Sequence, residues 1–180
     1  MIEARAFGVD IEKIRRILEQ KGAISSDKFE IHDTIYVRKD GSASIADEFL
    51  RLRVVPLNVW VDKPVIVSIK RTKLHDLGKE SAIPSRIEFD TNEEAVLYIK
   101  KNLAAQYTVD FSYSRIGWQY ILPNGDVADL EIIENKYNSV EIKSDTDAGI
   151  ARLANELHID PSLFIKGPSA SAVKELLSVN

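Results

Sequence analysis

Charged and apolar residues alternate in one strand-like stretch after another, and this limits the folds open to the chain. In FLRLRVV, residues 49–55, Arg51 and Arg53 fall on one side with Phe49 and Val55, while Leu50, Leu52 and Val54 take the other. Side chains two apart on a strand point the same way. The habit recurs where Glu3 and Arg5 alternate with Ile2, Ala4 and Ala6. Ser68 and Lys70 alternate with Val67 and Ile69, and Glu141 and Lys143 with Val140 and Ile142. Arg86, Glu88 and Asp90 share a face, as do Asp129 and Glu131.

An antiparallel sheet with one wet face shows such alternation without any function. Two details argue for more. The charged faces carry arginines and acids where Thr, Lys or Gln would solvate as well, and the chain supplies amphipathic helices that need an apolar surface to cover. A sheet curled with its apolar face outward under those helices would line its interior with charge. Enclosed Arg, Lys and carboxylates need compensation, because isolated buried charge is costly. A polyanion with divalent cations supplies it. Arg and Lys hold phosphate oxygens, carboxylates hold Mg²⁺ or Mn²⁺, and phosphoryl transfer uses both.

The local signals give the element order. Ile2–Phe7 reads as a strand. Asp10 caps a helix with Ile11, Ile14, Ile17 and Leu18 on one face, stopped by Gly22. Strands are expected at Phe29–Arg38, ended by an Asp40-Gly41 turn, and at 48–55, 65–71 and 85–90. Thr91 with Glu94 forms a capping box for a helix striped by Ala95, Val96, Tyr98, Ile99 and Leu103. In WQYILPNGDVADLEII, Asn124-Gly125 marks a hairpin. A strand at 139–143 and helices at about 146–157 and 171–177 close the chain, joined by the connector HIDPSLFIKGP. The fold class is therefore α+β with a mainly antiparallel sheet, curved or closed into a barrel, in a single domain over residues 1–180.

Composition narrows the partners. With 24 Lys+Arg against 28 Asp+Glu, the net charge of −4 argues against broad binding to nucleic acid, so any cationic site must be local. No cysteine is present, which excludes disulfides, thiolate metal sites and thiol nucleophiles. MIEARAFGVD lacks the apolar run of a signal peptide, and no stretch approaches the roughly 18 apolar residues of a membrane helix. The expectation is a cytoplasmic protein with no membrane partner. His32, His75 and His158 have no metal-ligand spacing. No GxSxG, GxGxxG or GxxxxGK[ST] is found. Trp60 and Trp118 read as core or rim aromatics.

In this order the stretches resemble the CYTH, or triphosphate tunnel metalloenzyme, family of class IV adenylyl cyclases, thiamine triphosphatases and inorganic triphosphatases. MIEARAF stands where the family has ExExK, FLRLRVV resembles its LRxR strand and VSIKRT its LTxKxP strand. HDTIYV resembles the second strand, SRIEFDT the RxExE strand, SYSRIGWQY the KxRxxY strand, and GDVADLEII with YNSVEIKSD the Asp-bearing and closing ExE strands. The tail LHIDPSLFIKGPSASAVKELL resembles the C-terminal plug.

The resemblance implies an eight-stranded antiparallel barrel with flanking helices, a helical plug and a charged tunnel for a small-molecule triphosphate. It assigns Arg5, Arg51, Arg53, Lys70, Arg86 and Arg115 to phosphate binding. Apart from the resemblance, the connector residue Lys166 is a further candidate that could reach a phosphate as a lid residue, with an exposed loop lysine the safer reading. It assigns Glu3, Asp129 and Glu141 to Mg²⁺ or Mn²⁺, and Arg51, Arg53, Lys70 and Glu88 to catalysis. The expected reaction is triphosphate hydrolysis. A non-catalytic polyanion binder and a class IV-type cyclase are the alternatives, and a homodimer is compatible with each.

Departures accompany the likeness. The first acid of ExExK falls on Met1, the last acid of the closing ExE on Lys143, the Lys and aromatic of KxRxxY on Tyr113 and Trp118, and the tail's Tyr on Val173. Two usual metal carboxylates are thus absent. A two-residue loop at Asn124-Gly125 would also put Tyr120 opposite Asp129 and turn Arg115 away from Asp129, unless a bulge at Gly117 brought it round.

Overall fold

In the computed structural model, which describes residues 1–57, 62–74, 79–165 and 167–178, nine strands and four α-helices follow one another. They are β1 (Ile2–Phe7), α1 (Ile11–Gln20), β2 (Ile24–Ser25), β3 (Phe29–Arg38), β4 (Glu48–Leu57), β5 (Val65–Leu74) and β6 (Lys79–Phe89). There follow α2 (Asn92–Asn102), β7 (Tyr107–Ile121), β8 (Val127–Ile133), β9 (Tyr137–Ser144), α3 (Asp147–Glu156) and α4 (Ser169–Ser178). Their ends are set by the expected local chemistry. Asp10 accepts from the Lys13 amide, Thr91 and Glu94 form the reciprocal capping box, and Thr146 caps α3.

Every strand pairing is antiparallel, in the order β2-β7-β3-β4-β5-β6-β1-β9-β8, and a further β7–β8 pairing closes eight strands into a barrel. The two-residue β2 lies outside the ring on β7. The seam is β1–β6, where Glu3 pairs with Lys79 among the described residues. Among the described residues no helix is long and apolar enough to cross a membrane.

The alternation decides which face turns in. Ile2, Ala4, Leu130, Val140 and Ile142 form an outer core with Ile14 and Leu18 of α1 and Ile150 and Leu153 of α3. Trp118 packs on this core beneath the Arg15 guanidinium, 4.5 Å from the ring centroid. Leu50, Leu52, Val65 and Val67 form a second outer core under Ala95 and Ile99 of α2. The helices thus cover the apolar sheet faces, and the other faces line the barrel. Inside, one end is apolar, with Ile35, Phe49, Tyr113 and Ile133 packed against Ala170 and Val173 of α4. This is the plug. It is tied down by Lys174, whose ammonium bonds both oxygens of Asp110 at 2.7 and 2.6 Å, where a bulge interrupts the β3–β7 ladder.

The β7–β8 hairpin corrects one expectation. Ile121 faces Val127, the Leu122 amide donates to the Asp126 carbonyl at 2.9 Å, and Pro123-Asn124-Gly125 form a three-residue loop with Gly125 at φ 86°. The physical reason is Pro123. Its fixed φ suits the second position of a type I turn and not a ladder position that needs an N–H. The register moves by one residue, which reverses facing along a strand. Gln119, not Tyr120, stands opposite Asp129, so Arg115 shares the inner face with no bulge at Gly117. Gly117 serves another purpose: a Cβ there would lie 2.3 Å from the Leu130 carbonyl oxygen and 2.8 Å from Phe29 Cζ. Gly117→Ala is expected to destabilise the barrel by about 1–3 kcal/mol, read as a lower denaturant midpoint. An unchanged midpoint would mean that the β7–β8 contact is looser than drawn.

Candidate functional site

The inward faces enclose a cavity of about 310 Å³, within the rough 300–1,000 Å³ span of small-molecule pockets. Arg5, Arg51, Arg53, Lys70, Arg86, Arg115, Glu3, Asp129 and Glu141, all singled out from the sequence, line it. Glu88 is not among the lining residues and pairs with Arg86 at 2.7 Å. Lys166, His75 and Trp60 lie outside the described residues. Of the other histidines, His158 is exposed and His32 pairs with Glu30 at 3.1 Å.

Two ion clusters organise the cations. In the first, Asp33 receives both Nε and Nη2 of Arg53 at 2.7 Å, with Arg115 at 3.6 Å and Arg51 at 3.9 Å. Burial pushes the Asp33 carboxyl up, but Arg53 and Arg51 more than offset it and hold it well below the usual carboxylate range. In the second, Arg5 is 1% exposed. It bonds Glu131 through Nη1, Glu141 through Nη2 at 2.9 Å, and Ser139 at 2.9 Å. Arg115 bonds the other oxygen of Glu131 at 2.7 Å. Arg5 and Arg115 are thus fastened by acids from β8 and β9.

Two cations in the cavity are less fully compensated. Arg51 Nε is buried without a hydrogen-bond partner, and its nearest acid, Asp33, is 3.9 Å away. Lys70 has no ion-pair partner among the described residues, and its ammonium is pushed down to about 7 by burial and then by Arg51. Burial, with Arg53 next, brings Arg51 down to about 10. Both shifts mark a place short of negative charge.

The acidic end is arranged differently. Lys143 Nζ lies 2.5 Å from Asp129 and 3.6 Å from Glu141. Lys79 Nζ lies 3.8 Å from Glu141 and 3.9 Å from Glu3. Burial lowers Lys143, but Asp129 and Glu141 more than offset it and hold the ammonium above its ordinary value. The three acids that the resemblance gives to a metal therefore each have an ammonium within 4 Å. Among the described residues no three His, Cys, Asp or Glu side chains are grouped to hold a metal ion. As they stand, these acids do not fit Mg²⁺ or Mn²⁺, which bind through carboxylate oxygens free to coordinate.

Sequence reasoning missed Asp33, Lys79 and Glu131 as site residues. Asp33 had a signal, since it interrupts the apolar stripe Phe29, Ile31, Ile35 of β3. Glu131 was placed beside Asp129 without a partner. Lys79 gave none, because β6 begins six residues before the strand expected at 85–90.

No protein-family model and no curated protein matches the sequence. Solved structures do. The PH1819 protein of Pyrococcus horikoshii superposes with a TM-score of 0.72 at 14% identity, over 97% of this chain and 98% of that one. HpAC1 from Hippeastrum, put forward as an adenylyl cyclase and described as having a dominant triphosphatase activity, gives 0.67 at 13%, over 96% and 93%. A Vibrio parahaemolyticus protein put forward as an adenylate cyclase gives 0.63 at 14%, over 98% and 96%. The chain shares their fold, the CYTH-type tunnel barrel that the sequence resemblance implied.

Proposed function

We propose, from this tunnel fold and its charge, that the barrel binds an inorganic or organic triphosphate. One observation carries the reading. Eight cations line the cavity against four carboxylates, in a chain whose net charge is −4, and Arg51 and Lys70 are the least compensated of them. A phosphate chain along β4 and β5 would supply the missing negative charge. Arg51 and Arg53 would present forked donors and Lys70 a point charge. Hydrolysis of the bound chain is the second reading, favoured by the fold shared with the triphosphatase-active HpAC1.

Calorimetric titration with sodium tripolyphosphate tests the binding. It is run at pH 8 in two buffers of different ionisation enthalpy. Lys70, held at about 7 in the free protein, is mostly neutral there. Phosphate favours its charged form and raises its pKa, so binding takes up a proton. Affinity therefore weakens as pH rises from 7 through the bound-state pKa, by up to about tenfold per pH unit. Absence of binding heat in both buffers would sink the reading. Proton exchange identical in Lys70→Met and the wild type would remove Lys70 from the phosphate contact. Phosphate release from tripolyphosphate, ATP and thiamine triphosphate then separates hydrolysis from binding alone.

A further inference from the structure

We infer that Lys143 is a built-in cation which replaces a divalent metal, so that this chain takes its triphosphate as the metal-free anion. The inference rests on the triphosphate reading above. Its ground is the position of one ammonium. Lys143 faces Glu3 across the β1–β9 ladder, lines the cavity, and places Nζ 2.5 Å from Asp129 and 3.6 Å from Glu141. Lys79 closes the same group from the seam strand, 3.8 Å from Glu141 and 3.9 Å from Glu3.

A divalent ion needs these oxygens as ligands, and here they already face two ammonium groups. Bringing the ion in would set it against Lys143 within a few ångströms, in a site where little water screens the repulsion. A tethered lysine also differs in what it asks of the ligand. A bound metal shares its coordination between acids and phosphate oxygens, so metal and phosphate arrive together. A lysine is present before the ligand and has three donors. Asp129 takes one of these donors, with Glu141 an ion pair 3.6 Å away, which leaves donor capacity for a phosphate oxygen. Tripolyphosphate complexed by metal would bring a second cation into a region already neutralised.

Tripolyphosphate itself is the probe, titrated calorimetrically into the wild-type protein in EDTA and again with Mn²⁺ in excess. Loss of the free-ion Mn²⁺ signal in electron paramagnetic resonance, read without tripolyphosphate, reports metal uptake directly. The expected wild-type result is binding in EDTA that Mn²⁺ leaves unchanged or weakens, with no uptake of Mn²⁺ alone. Lys143→Glu should acquire a Mn²⁺ site and bind tripolyphosphate at least about tenfold more tightly with Mn²⁺ than in EDTA. Lys143→Met should lose about tenfold in EDTA and, with the ammonium gone from Asp129 and Glu141, recover part of that loss with Mn²⁺, but less than Lys143→Glu gains. Wild-type binding about tenfold tighter with Mn²⁺ than in EDTA, or wild-type uptake of Mn²⁺ alone, would overturn the inference and leave the triphosphate reading standing. Absence of binding in both solutions would overturn both. If Lys143→Glu does not fold, the two wild-type titrations still decide.

Discussion

Asp33→Asn should be among the most destabilising single substitutions in this barrel. The carboxylate is 1% exposed and is the common partner of Arg53, Arg115 and Arg51. Asparagine keeps the shape and removes the charge. Three guanidiniums then face one another with Glu131 as the nearest compensation, through Arg115 alone. Breaking a buried ion pair from one side costs about 3–5 kcal/mol, or roughly 10 °C of melting temperature for a chain of this length. Tripolyphosphate should rescue the variant more than it stabilises the wild type, because the ligand replaces the lost anion. Saturation at about 100 times Kd contributes about 2.7 kcal/mol, and the variant's gain should exceed that of the wild type at equal ligand. A melting temperature within a degree or two of wild type would show that water compensates the three arginines.

Arg51→Ala should behave in the opposite way. Its closest acid is 3.9 Å away and its Nε has no partner, so the free protein gains little from this charge and suffers its repulsion with Arg53 and Lys70. Stability should hold or rise. Tripolyphosphate affinity should fall by about 10- to 100-fold, the loss of charged hydrogen bonds worth about 1.5–3 kcal/mol. Thermal unfolding and calorimetry on the same sample read both quantities. Arg53→Ala is the control, since it should lose stability as well as affinity through its two bonds to Asp33. A joint loss of stability and affinity in Arg51→Ala would make Arg51 a structural residue and would weaken the case for a phosphate grip.

The hairpin at Asn124-Gly125 shows where the legibility of the sequence ends. The turn residues were visible, and so was Pro123, but a one-residue difference in loop length decided whether Arg115 joined the cavity. Loop length depends on how the whole β7–β8 ladder pairs, and β7 is also paired to β3 along most of its length. Lys143 could be read as a departure from the resemblance, yet nothing local stated that its ammonium would lie against Asp129, 14 residues away.

The sequence by itself determined the strand and helix order, the caps at Asp10 and Thr91, and which residues of each strand share a face. Such features follow from neighbours within a turn or a pleat, so they are written locally. Only the tertiary structure decided which charges meet. Arg5 finds Glu131 across 126 positions, Lys79 reaches Glu3 and Glu141 at the β1–β6 seam, and Arg51 is left without a close counter-ion. Closing the ring sets these partners, and partnership, more than residue type, separates a structural ion pair from a charge held ready for a ligand.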